Sequence, residues 1–169
     1  MKVHLVNQLL ILVYLSGTTL HLKAQVNKTE NGFIYVTNAN EKLKFEVTAK
    51  IPTGKLFKPE LTYYWYSYNQ VHQTTGGADG KLLHGEFSSY FSDNNIKEKG
   101  NFRFGLKHGT WKEWDTKGLI KKVAHYKHGK LHGVQTEYDV DAVPKKTTFV
   151  NGKIKIPKPK GNVPNEKKK

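Results

Sequence analysis

The sequence predicts an all-β fold: a single-layer antiparallel sheet of stacked hairpins of about 24 residues, with N-terminal strands and a disordered basic tail. Three observations predict it. Aromatic side chains fall at steps of twelve (Tyr90, Phe102, Trp114, Tyr126, Tyr138), then at Phe149 after eleven, and Tyr66 lies twenty-four before Tyr90. The pair His-Gly recurs in step with them, at His84-Gly85, His108-Gly109 and His132-Gly133. Beyond residue 24 no segment shows the i, i+3, i+4 apolar stripe of an amphipathic helix. A fixed period marks a repeat architecture, and such folds present extended binding surfaces.

Residues 1–24 read as a secretory signal peptide. Lys2 gives the positive start, Leu9–Leu15 the apolar stretch, and Ala24 a small residue at the cleavage point. The run is interrupted by Asn7, Gln8, Thr18 and Lys23, too polar for the ~20 apolar residues of a membrane span. The expected location is therefore periplasmic or extracellular. Asn27-Lys28-Thr29 is a glycosylation sequon, a weak signal standing alone. Residues 25–60 carry two predicted strands that cap the sheet, over 33–36 and 42–51. In the second, Leu43, Phe45, Val47 and Ala49 alternate with polar residues, the pattern of a one-sided strand.

The repeat sheet is expected over 61–153. Leu61–Tyr68 holds Tyr63, Tyr64, Trp65, Tyr66 and Tyr68 and reads as a strand, with Val71–Thr75 pairing back onto it. Three units follow, opening at Gly85, Gly109 and Gly133, each with two strands and two turns. Asn94-Asn95 and Lys117-Gly118 supply residues that tolerate tight hairpin turns. Twelve residues make one strand plus one turn, so the twelve-step series puts a ring on every strand. That predicts an aromatic packing spine across the sheet. A second row through Tyr63, Phe87 and Trp111 ends at Gln135, and the exposed partner surface is expected there. Residues 154–169, rich in lysine and proline, read as a disordered tail.

Gly105-Leu106-Lys107-His108-Gly109 and Gly129-Lys130-Leu131-His132-Gly133 resemble the G-x-x-H-G core of MORN repeats. Gly80-Lys81-Leu82-Leu83-His84-Gly85 resembles it with one extra residue. Phe87, Trp111 and Gln135 replace the second glycine of the usual unit, as in a variant found in bacterial proteins, some labelled antitoxin-like. A 24-residue period also suits leucine-rich repeats, but their L-x-x-L-x-L pattern is absent. The MORN resemblance implies stacked hairpins and a role in protein–protein interaction or scaffolding, with lipid contact in some members. It implies turn roles for Gly80, His84, Gly85, Gly105, His108, Gly109, Gly129, His132 and Gly133. An antitoxin-like inhibitor of a cognate toxin is a further reading, at odds with the signal peptide.

The chain has no cysteine, which removes disulfides, thiol catalysis and cysteine metal sites. Its net charge is +14. Seven lysines against Glu166 fall in Lys153–Lys169, so much of the excess is a tail. Nucleic acid is not expected as a partner of an exported protein. An anionic envelope surface, lipid headgroup or glycan, is the alternative to a protein partner. Equivalent histidines sit two strands apart, about 10 Å, too far to share a metal at ~2.1 Å. Glu113 and Glu137 are separated likewise, beyond the ~6.5–9.5 Å of paired glycosidase carboxylates. No catalytic, metal or cofactor residues are expected, and the protein reads as a non-enzyme. Phe87, Tyr90, Trp111 and Trp114 are the expected partner-contact residues.

Overall fold

A computed structural model describes residues 25–28, 32–48 and 57–156, the first four by backbone alone. The predicted signal peptide, the end of the predicted 42–51 strand and the tail from residue 157 lie outside the described residues. Thirteen antiparallel strands and no helix make up the described chain. They are β1 Gln25–Lys28, β2 Ile34–Thr37, β3 Glu41–Val47, β4 Thr62–Ser67, β5 Gln70–Thr75, β6 Lys81–Phe91, β7 Ile96–Arg103, β8 Leu106–Trp114, β9 Ile120–Lys127, β10 Lys130–Leu131, β11 Gly133–Tyr138, β12 Pro144–Val150 and β13 Lys153–Ile154. The main sheet is open and runs β1-β2-β3-β6-β7-β8-β9-β11-β12-β13. The N-terminal strands thus extend one edge, through β3 on β6.

Turn chemistry explains the hairpins. Phe104-Gly105, His128-Gly129 and Asn151-Gly152 each hold both central residues at positive φ, between +50° and +83°. That is the geometry of a two-residue turn whose twist matches its strands. Their glycine N–H groups donate to Leu83, Lys107 and Leu131 carbonyls at 2.7, 3.0 and 2.8 Å, tying the three turns to β6, β8 and β10. At the other end, longer loops close on Phe91–Asn95, Asp115–Leu119 and Asp139–Val143. In the last two an aspartate carboxylate accepts two backbone N–H groups of its own loop.

The expectation of a single layer is corrected. The β4–β5 hairpin lies over one face of the sheet, where Tyr64, Tyr66 and Val71 pack on a core of Ile34, Val36, Leu43, Phe45, Leu83, Phe87, Phe102 and Trp111. A layer of apolar side chains this large must be covered, since burying one Phe or Leu stabilises by roughly 1.5–3 kcal/mol. The opposite side of β4 makes a second cluster, Leu61, Tyr63 and Trp65 on Leu82 and Leu106. Strand β4 is therefore apolar on both sides because both are buried. Strand β6 joins the layers. Its start pairs with β4, at Trp65↔Leu82 and Tyr66↔Lys81, and its remainder with β3 and β7. Gly85 sits within β6 at φ +94°, a conformation a β-carbon would strain.

Candidate binding face

Register sorts the side chains onto two faces, since alternate residues point to opposite sides. The inner face, towards β4–β5, carries Phe45, Phe87, Phe102, Trp111, Ala124 and Tyr126. Gly100 lies opposite Phe87, and the Trp111 indole occupies the space its missing side chain leaves. The Trp111 ring meets Phe102 edge-on at 4.8 Å, and its Nε1–H donates to the Asn101 carbonyl at 3.2 Å.

Beyond this core the inner face is polar and carries three ion pairs. The Lys107 ammonium lies 3.9 Å from the Trp111 ring centre and contacts Glu98 Oε1 at 2.6 Å. Lys122 pairs with Glu113 at 3.2 Å and Lys97 with Glu41 at 3.0 Å. Burial pushes the Tyr64 phenol up from its usual pKa, with Glu98 and Tyr126 adding to the effect. Tyr126 is raised likewise, by burial first and then by Glu113 and Glu98. Neutral phenols and paired carboxylates form a structural network under the edge of the hairpin.

The outer face has a different charge pattern. One ladder crosses it through Lys44↔Ser88, Ser88↔Lys99, Lys99↔Lys112, Lys112↔Val123, Val123↔Thr136 and Thr136↔Lys146. Lys99 and Lys112 stand directly opposite each other and both are exposed. Like charges so placed are destabilising on a sheet. The ion pairs among the described residues involve Lys97, Lys107, Lys122 and Lys130, and none of the four ladder lysines. Lys44 has an aromatic contact instead, 4.1 Å above Phe33.

Two residues along each strand from this ladder, towards the loops closed at Phe91–Asn95, Asp115–Leu119 and Asp139–Val143, stand Tyr90, Trp114 and Tyr138. They are half-buried and pair with Ile96, Ile120 and Pro144. Strands β9 and β11 pair only at Thr136↔Val123 and Glu137↔Lys122. Their loop ends diverge around a cleft of about 440 Å³ lined by Leu119, Ile120, Tyr138 and Val140 and by two charges of each sign, Lys117 and Lys121 with Asp115 and Asp139. Leu119 and Val140 are 59% and 99% exposed, apolar surface open to solvent.

The structure separates the four expected contact residues. Tyr90 and Trp114 lie on the outer face. Phe87 and Trp111, 7% and 2% exposed, are core and present no partner surface; Tyr63, at 3%, is core as well. The twelve-step series is not one spine either. Phe102, Tyr126 and Phe149 are inner and Tyr90, Trp114 and Tyr138 outer, because each twelve-residue step crosses a turn and register shifts intervene at Ser89/Tyr90 and Glu113/Trp114.

Gly105 and Gly129 hold tight turns, whereas Gly85 and Gly109 sit inside strands and Gly133 opens one. Gly80 lies against Trp65, just before β6. His84 Nδ1 accepts the Phe104 N–H at 3.3 Å, and its ring packs on that side chain. The Nδ1 atoms of His108 and His132 are buried without a hydrogen-bond partner among the described residues. Among the described residues no group of three His, Asp or Glu side chains is placed to hold a metal, and no helix is long and apolar enough to cross a membrane. The sequence reading missed the lysine ladder, although Lys99 and Lys112 depart from the 24-residue period.

No protein-family model, no curated protein and no solved structure matches this chain.

Proposed function

We propose that this chain is an exported, non-enzymatic, MORN-like repeat protein that acts as an interaction module through the outer face of its sheet. The repeat reading is supported by hydrogen bonds that recur along the chain: Phe91 to Asn95, Asp115 to Leu119 and Asp139 to Val143, each 24 residues after the last. Gly85↔Phe102, Gly109↔Tyr126 and Gly133↔Phe149 add equivalent pairings. The observation that carries the functional reading is asymmetry. The inner face is partly covered by β4–β5 and carries three ion pairs, while no described segment covers the outer one. The partner contacts move accordingly to Tyr90, Trp114 and the lysine ladder.

Crosslinking in cells followed by mass spectrometry tests this reading. A reproducible macromolecular adduct on outer-face lysines supports it, and adducts confined to the tail would overturn it. A second reading, an anionic surface as the partner, is favoured by one observation: among the described residues the ladder cations have no carboxylate partner. Affinity dominated by that ladder falls steeply with salt.

A further inference from the structure

We propose that the outer face docks an acidic polysaccharide, with its carboxylates along Lys44, Lys99, Lys112 and Lys146 and its sugar rings on Tyr90, Trp114 and Tyr138. This rests on the anionic-surface reading and adds the class of ligand. The cation ladder and the aromatic row run parallel across the strands, about 7 Å apart at two residues per step. Successive rings of the row are two strands apart, about 10 Å. A chain lying across the strands thus meets one cationic line and one line of flat apolar surfaces. A uronic-acid polymer has both features: carboxylates at intervals along one edge and apolar sugar faces beside them.

The other polyanions fit less well. Protein interfaces deplete lysine at their centres, and here lysines are central. A flat anionic bilayer pressed on this face also meets Asp93, Asp115 and Asp139 in the loops beyond the rings. A single nucleic-acid strand uses the same stacking and charge chemistry. The export reading favours the glycan. The cleft between the 115–119 and 139–143 loops extends the row. Its 440 Å³ lies within the ~300–1,000 Å³ of small-ligand sites.

Direct binding of the purified full chain tests the proposal, in about 50 mM salt, where charge contacts are strong. The probes are polygalacturonate, neutral dextran, single-stranded DNA and phosphatidylserine–phosphatidylcholine vesicles. Polygalacturonate is expected to bind and dextran not. Lys99→Glu with Lys112→Glu is expected to weaken binding by about tenfold or more, and Trp114→Ala by about fivefold. Circular dichroism and the unfolding midpoint confirm that each variant folds, and Lys146→Glu replaces the double variant if that one does not. DNA or vesicles bound as tightly as polygalacturonate, or a Trp114→Ala variant with unchanged affinity, overturns the glycan proposal and leaves the anionic-surface reading standing. Binding to none of the three anionic probes overturns both.

Discussion

Gly100→Ala tests the account of the core at one atom. A β-carbon at Gly100 would lie 2.2 Å from Trp111 Cδ2, 2.4 Å from Cε2 and 2.7 Å from Cγ. Unbonded carbons prefer ~3.5–4.0 Å, so the indole must withdraw by more than an ångström. It has little room, with Phe102 edge-on at 4.8 Å, Phe87 at 5.7 Å and the Lys107 ammonium at 3.9 Å from its ring. Overpacking of this kind costs about 1–3 kcal/mol. Moving the ring also strains the Nε1–H bond to Asn101, worth about 1 kcal/mol more. Replacing a strand glycine returns about 0.5–1 kcal/mol. The net loss is about 1–3.5 kcal/mol, a sizeable share of the ~5–15 kcal/mol of an ordinary domain. Urea unfolding followed by far-ultraviolet circular dichroism measures it. In a Trp111→Leu background the same substitution should cost at least about 1 kcal/mol less, because the clashing ring is gone. A Gly100→Ala variant within about 0.5 kcal/mol of the parent, or an equal cost in both backgrounds, refutes the reasoning.

Three further outcomes follow from the two faces. Trp111→Ala should cost about 3–5 kcal/mol in the same unfolding assay, and Trp114→Ala about 1 kcal/mol or less. Lys107→Met strands the half-buried Glu98 carboxylate and should cost about 1–3 kcal/mol, part of it recovered on adding Glu98→Gln. Because the folded state raises the Tyr64 and Tyr126 pKa values, it holds those phenolic protons more tightly than the unfolded chain does. Their contribution is therefore complete below the ordinary tyrosine pKa of 10.0 and is lost as pH rises through the higher folded values. Tyr126→Phe should flatten the alkaline fall in the urea midpoint as pH rises above about 10.

The strands and loops were legible because local chemistry dictates them. Alternation marked β3, and Asn94-Asn95 and Lys117-Gly118 marked two of the loops, the second of which Asp115 closes. The faces were not legible. Counting twelve from Tyr90 to Phe102 joins a strand to its neighbour without revealing that an unpaired residue shifts the register near Tyr90. One such residue exchanges the sides, so the row read as a spine is half solvent-facing and the row read as a binding patch is core. A signal for the second layer was present in Tyr63-Tyr64-Trp65-Tyr66. Four consecutive aromatics leave a strand no polar side, which requires burial on both. Gly100 beneath Trp111 gives no local signal, since it acts across strands. The lysine ladder is likewise assembled from residues far apart in sequence, and only register brings them into line.

The central claim is that the outer face, and not the inner, meets the partner. Photoreactive residues placed in cells at Val123 and Thr136, on the outer ladder, and at Gln135 and Thr147, on the inner face, test it most directly. All four sites are half-buried. The account predicts high-mass adducts from Val123 and Thr136 and none from Gln135 and Thr147. Adducts from the inner pair alone would contradict it.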